Sequence, residues 1–125
     1  MSRVDCFSSI TELLPALECG EISSVDLTRT SLERIESLNP AINCYLSLFA
    51  DSAMKRAREL DREANKRGRR GPLHGIPVAA KDIFDFPGYV ASGGSLPLRP
   101  TEASGHASVI KRLEHAGAVL LGVLN

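Results

Sequence analysis

The sequence predicts an α/β fold in which amino-terminal helices lead into a single βαβ unit. Three observations carry that expectation. Two amphipathic stripes with capping signatures precede residue 40, a short apolar run occupies Ile76 to Ala80, and a second occupies Ala118 to Val123 beyond another helical stripe. With 125 residues, 43% of them hydrophobic and 24% charged, the chain has the balance of one small globular domain rather than a disordered tail.

Ser9-Ile10-Thr11-Glu12 has the form of a capping box, and Ile10, Leu13, Leu14 and Leu17 follow at the spacing of one helix face. Pro15 sits inside that helix as a source of kinking, and Gly20 supplies its stop. Ser23 or Ser24 caps a second helix whose apolar face is Val25, Thr28, Leu32 and Ile35, with Asn39-Pro40 as its predicted end. The alternation of Ile42, Cys44, Leu46 and Leu48 predicts an extended segment with those four on one face. Asp51 is the expected cap of a third helix over 52–66, which buries Ala53, Ala57, Leu60 and Ala64 and closes at Gly68. The basic cluster Lys66-Arg67-Gly68-Arg69-Arg70 then reads as a solvated linker, since no aromatic residue is interleaved for base stacking.

After the first apolar run, residues 83–104 carry turn formers rather than a periodic face, and a loop of that length in a small domain is expected to be functional. Helix resumes near Gly105 with Val109, Ile110, Leu113 and Ala116 inward, and Gly117 ends it. Ala118 to Val123 is expected as a buried strand parallel to the first, joined to it by a right-handed crossover. The organisation is therefore a helical segment over 1–70 and the start of an α/β core over 71–125.

Fifteen basic and fifteen acidic side chains cancel, which removes any overall field for nucleic acid or a membrane surface. Cys6, Cys19 and Cys44 have no CxxC spacing and read as free thiols in a reducing compartment. No apolar run approaches the roughly 20 residues of a membrane span, and no leader pattern opens the chain, so a soluble cytoplasmic protein is expected. His74, His106 and His115 lack metal-ligand spacing and read as turn or surface residues.

The stretch Gly71-Pro72-Leu73-His74-Gly75-Ile76-Pro77-Val78-Ala79-Ala80-Lys81-Asp82 delivers a Lys-Asp pair at the carboxyl end of the first apolar run, where open α/β sheets place their chemistry. By residue type and spacing alone the pair is either the start of a solvated loop or a desolvated lysine able to act as a base. Gly71 to Asp82 resembles the "GPLHGIPVAVKD" segment of the amidase signature family. Gly20 to Ser24 and Leu32 to Asn43 resemble that family's amino-terminal helices, and Val109 to Gly122 its "VxRLxxAGAVLLG" helix and strand. The likeness runs over residues 8–125 with the motifs in order.

That resemblance implies a hydrolase, or one component of an amidotransferase, that acts on carboxamide C–N bonds through a Ser-Ser-Lys triad, with Lys81 as the catalytic base. An unprotonated lysine takes a proton from a serine in a cis peptide, which relays from the serine nucleophile, and backbone N–H groups hold the oxyanion. Both serines belong to a later "GGSSGGS"-like run, so the chain is expected to be a truncated amidase that is inactive alone. Ser92-Gly93-Gly94-Ser95 corresponds instead to a "TSAGS"-like loop that shapes the site, and no helix start follows Ser95 to serve it as a nucleophile. His106 stands where relatives carry Asp, leaving Ser104 as a substitute cap, and Val123-Leu124-Asn125 stands where "KTN" is common. No cofactor and no metal are implied, and substrate-binding residues stay unassigned. The implied partners are a small-molecule amide once the site is completed, with a second copy or a complementing carboxyl-terminal portion as protein partner. A membrane is not expected, nor is nucleic acid, although Arg67, Arg69 and Arg70 are the residues that would contact RNA. The competing reading is a non-catalytic interaction module, or an inactive remnant of an amidase, that docks through its leucine-rich helices.

Overall fold

The computed structural model describes residues 7–95, 103 and 105–125. Along it run α1 (Ile10–Glu18), α2 (Ser24–Ile42), β1 (Tyr45–Leu48), α3 (Ala50–Arg67), β2 (Pro77–Lys81), α4 (Ser108–His115) and β3 (Val119–Leu124). Cys6, Ser104, Pro97 and Pro100 lie outside the described residues.

Local chemistry accounts for the first two helices. Ser9 and Glu12 form the predicted capping box, with the Ser9 N–H donating to the Glu12 carboxylate at 2.7 Å. The chain leaves α1 through Gly20 at φ 76°, and the Glu21 N–H donates back to the Ala16 carbonyl at 2.9 Å in the Schellman manner. A second capping box joins Ser23 to Asp26. Asp61 of α3 adds a long-range cap: its two carboxylate oxygens accept from the Ser24 and Val25 N–H groups at 2.8 and 3.1 Å. The orphan donors of the α2 first turn are thus satisfied by anions, where the helix dipole favours negative charge.

Helix α2 continues past the predicted end at Asn39-Pro40 to Ile42. The Asn39 side chain accepts from the Tyr45 N–H at 2.8 Å and donates to the Tyr45 carbonyl at 3.1 Å. Those two bonds hold the helix against β1 and offset the backbone bond that Pro40 cannot make. Asn43, left-handed at φ 50°, makes the turn.

The sheet has the order β1-β3-β2, with β1 antiparallel and β2 parallel to β3. It draws on both sides of residue 70. Strand β1 shows the predicted alternation on the opposite face: Tyr45 and Ser47 turn inward, and Leu46 and Leu48 are exposed. Alternation carries parity but not direction; the direction is set by Tyr45 packing on the Val119 and Leu121 cluster. Gly122 is what allows β1 so close, since a Cβ there would stand 2.1 Å from the Ser47 carbonyl oxygen.

Helix α3 begins one residue before the expected Asp51 cap, with Phe49 as N-cap and no side-chain cap bond. Phe49 is committed elsewhere: its N–H extends the sheet to the Leu121 carbonyl at 2.8 Å, and its ring meets Phe86 and Tyr89 edge-on. Ala53, Ala57 and Leu60 bury against Val119 and Leu121 as the helical spacing predicts. A bulge opposite Val78 and Ala79 switches the parity of β3, so that Leu120 and Val123 serve a second cluster with Ala80, Phe86 and Ile110. Helix α4 is shorter than expected, starting after Ala107 without a side-chain cap, and Val109 is 42% exposed rather than inward.

Candidate functional site

Strand β2 opens on Pro77, which as the first strand residue gives up no needed donor, and ends on Lys81 in register with Leu124. The Asp82 N–H adds one further bond to the Leu124 carbonyl at 2.9 Å. The backbone carrying Lys81 is therefore held against β3 through that residue and one beyond it. Its side chain is not buried: Lys81 is exposed, and among the described residues it pairs with no carboxylate. The desolvation expected for a base at a strand end is thus not supplied by these residues. The reason is topological, because among the described residues β2 is an edge of the sheet and only Ala80 within it is buried.

A groove of about 430 Å³ lies between α1, α2 and the sheet, reaching from Tyr45 of β1 and Leu121 of β3 to β2. Leu27, Ile35, Leu38 and Ile76 form part of its lining, which follows β2 from Pro77 to Ala79.

Asp82 contrasts with its neighbour, being only 2% exposed. Its Oδ1 accepts from the Tyr89 phenol at 2.7 Å and from the Ser92 N–H at 3.0 Å, and its Oδ2 accepts from the Ser92 hydroxyl. Burial alone would raise this carboxyl, but the hydrogen bonds from the Ser92 hydroxyl, the Tyr89 phenol and the Ser92 N–H, aided by the nearby Gly94 N–H dipole, outweigh it and hold the carboxyl below its ordinary value. Burial and the adjacent Asp82 carboxylate push the Tyr89 phenol up to about 12.

The Ser92–Ser95 turn can be accounted for donor by donor. Ser92 N–H goes to Asp82 Oδ1, Gly93 N–H to the Asp82 carbonyl at 2.9 Å, Gly94 N–H to Ser92 Oγ at 3.2 Å, and Ser95 N–H to the Ser92 carbonyl at 3.0 Å. No N–H of this turn is left to hold an oxyanion. The Ser92 hydroxyl is likewise committed, to the Asp82 carboxylate. Edge-on contacts among Phe49, Phe86 and Tyr89, with centroids 6.1 to 6.4 Å apart, pack the loop behind it.

Two readings from sequence need correction. His74 lies in a turn, as read, but it is fully buried rather than at the surface. Its Nε2 lies 2.9 Å from the Leu60 carbonyl, and its Nδ1 accepts from the Arg70 N–H at 3.2 Å, so the ring ties the β2 approach to α3. Lys66, Arg67 and Arg70 are exposed, as a solvated stretch predicts, but Arg69 and Arg70 are tied to the fold rather than free. Arg69 donates to the His74 carbonyl, and Arg70 grips Glu63 with bonds of 2.6 and 2.7 Å while also donating to the His115 carbonyl. His106 sits near the surface, with Nδ1 3.1 Å from Glu114. Cys19 and Cys44 are free thiols. Among the described residues no group of three His, Cys, Asp or Glu side chains could hold a metal ion, and no helix is long and apolar enough to cross a membrane.

Sequence reasoning missed Asp82, Tyr89 and the anchoring role of Ser92. An acidic residue directly after an apolar strand, followed within a dozen residues by a Ser-Gly-Gly-Ser turn, is the signal that could have found them.

The family model described as Amidase matches residues 26–125. One component of the glutamyl-tRNA(Gln) amidotransferase of Methylococcus capsulatus is 44% identical over 117 residues, a match that covers 94% of this chain and 24% of that protein. The crystal structure of native peptide amidase from Stenotrophomonas maltophilia superposes with a TM-score of 0.85 at 36% identity, covering 96% of this chain and 25% of that one. An amidase family protein from Bacillus anthracis str. Ames gives a TM-score of 0.83 at 30% identity over 96% of this chain and 24% of its own. The chain thus spans about a quarter of the length of the relatives it matches.

Proposed function

Because the chain belongs to the amidase family, we propose that it contributes the general base, Lys81, to an enzyme that cleaves carboxamide C–N bonds by a Ser-Ser-Lys mechanism. The observation that carries this reading is the position of Lys81 as the last residue of β2, exposed, with the strand paired to β3 up to that residue and the following Asp82 N–H bonded to the Leu124 carbonyl. In that role Lys81, unprotonated, accepts a proton from a bridging serine, the bridging serine takes one from the serine nucleophile, and the nucleophile attacks the amide carbon. The proton then returns to the departing nitrogen.

Two features argue that this chain works only in combination with further sequence. In the Ser92–Ser95 turn the Ser92 hydroxyl is held by Asp82 and the four N–H groups bond to Asp82 and Ser92, which leaves no oxyanion donor there. Strand β2 has one unpaired edge among the described residues and lines part of the groove. A carboxyl-terminal portion like that in the remaining three-quarters of the relatives would pair that edge and exclude water from Lys81.

The test is carboxamide hydrolysis, followed as ammonia release, by the chain alone and by a chimera in which it replaces the matching quarter of the Stenotrophomonas maltophilia peptide amidase. The chain alone gives no turnover above background and the chimera does. An inactive but folded chimera would favour the second reading, a non-catalytic module, for which the exposed Ile10, Leu38 and Ile42 of α1 and α2 are the supporting observation.

A further inference from the structure

A fully desolvated carboxylate is costly unless both of its oxygens are hydrogen-bonded. Asp82 meets that condition without a cation: among the described residues its side-chain partners are the Tyr89 phenol and the Ser92 hydroxyl and N–H. Its backbone is engaged as well, the N–H on Leu124 of β3 and the carbonyl on the Gly93 N–H. One residue therefore joins the sheet, the aromatic loop and the Ser92–Ser95 turn, and it is the residue next to Lys81. We infer that Asp82 is a positioning residue that locks the end of β2 and the Ser92–Ser95 turn into one unit, so that the turn is a wall of the site fixed relative to Lys81. This deepens the proposed function and rests on Lys81 being the base, yet the lock can be observed without catalysis.

Each part of the lock has a distinct task. Ser92 uses both its hydroxyl and its N–H on the carboxylate, and its hydroxyl oxygen and carbonyl then receive the Gly94 and Ser95 N–H groups. The turn is thus built outward from Asp82. Tyr89 approaches the same Oδ1 from the loop, where the Phe49 and Phe86 rings set its orientation. An asparagine at position 82 presents an NH2 group toward donors that need acceptors, which breaks the unit with almost no change of shape.

The experiment is amide hydrogen exchange by NMR on the full chain, with a spectrophotometric titration of Tyr89 assigned by difference against Tyr89→Phe. In Asp82→Asn the Ser92 to Ser95 amides exchange at least about tenfold faster, the loss of roughly one charge-assisted bond, while amides in α3 and β3 hold their protection. The phenol of Tyr89, raised to about 12 in the unaltered chain, moves back toward its ordinary value in that variant. Ser92→Ala gives the same selective loss and Ser92→Thr, which keeps the hydroxyl, restores protection; this pair decides the matter should Asp82→Asn fail to fold. Unchanged exchange in the turn, an unmoved Tyr89, or a loss spread equally over β3 overturns the inference. Lys81→Ala leaves turn protection intact, so an amidase that survives Lys81→Ala sinks the proposed function and leaves the lock standing, whereas a turn indifferent to Asp82 does the reverse.

Discussion

The two sides of the sheet are finished to different degrees. Toward α3, Ala53, Ala57, Leu60 and Val119 are at most 2% exposed, and the buried His74 and the α2 first turn find their partners on Leu60 and Asp61. Toward the outer edge of β2, Pro77, Val78 and Ala79 are only half-buried and line part of the groove, and Lys81 stands in water. The contrast teaches that the residues this chain needs in order to fold and the residue it would use for chemistry lie on different sides. The α3 side is closely packed, and the β2 edge is left open among the described residues.

That contrast can be attacked by substitution. Gly122→Val would drive a side chain into the β1 backbone, from which its Cβ would be only 2.1 Å away. Overpacking against backbone should cost about 3 kcal/mol or more, so circular dichroism should find no cooperative thermal transition. Leu60→Ala, at a site with no exposure, should cost about 3 kcal/mol. Val78→Ala, on the open edge, should cost about 1 kcal/mol or less by the same denaturant midpoint measurement. Equal losses at the two positions would erase the distinction between the sides.

Asp61→Ala sharpens the same point from the polar side. It removes both acceptors from the α2 first turn and should cost about 1–2 kcal/mol, measured as a lower urea midpoint with an unchanged slope. A midpoint unmoved by the substitution would mean that the local capping box at Ser23 and Asp26 suffices.

A smaller effect is expected from pH. Asp82 is held below its ordinary value of 3.8, so its contribution is present above that value and is lost as pH falls through the lower folded one. Tyr89 runs the other way. Its phenol is raised from 10.0 to about 12, so its contribution is complete below pH 10 and is lost as pH rises through about 12. Stability profiles of Asp82→Asn and Tyr89→Phe should lack the acid and alkaline limbs respectively; profiles parallel to the unaltered chain would contradict the assignment.

Much of the α3 side was legible in the sequence because its determinants are local. Capping boxes join residues three apart, and the Ala53, Ala57, Leu60 stripe is a helix period. The features that escaped depend on distant partners. His74 was legible as a turn residue but not as a buried one, because its burial depends on Leu60, 14 positions away, whose carbonyl meets its ring. The arginines after α3 looked solvated because Glu63 and the carbonyls of His74 and His115 were not visible as their acceptors. The face of β1 was reversed because period-two alternation cannot choose a side before its partner strand is known. At the candidate site, the place of Lys81 at the strand end was readable, and the burial of Asp82 was not, since it depends on a turn ten residues later.

The central claim is that Lys81 is the base of a site completed by other sequence. Ammonia release by the peptide amidase chimera, with and without Lys81→Ala, tests it most directly. Loss of a general base predicts a fall of about 100-fold to 10,000-fold in kcat, with the fold unchanged by circular dichroism. Turnover that persists at the unaltered rate in Lys81→Ala would contradict it.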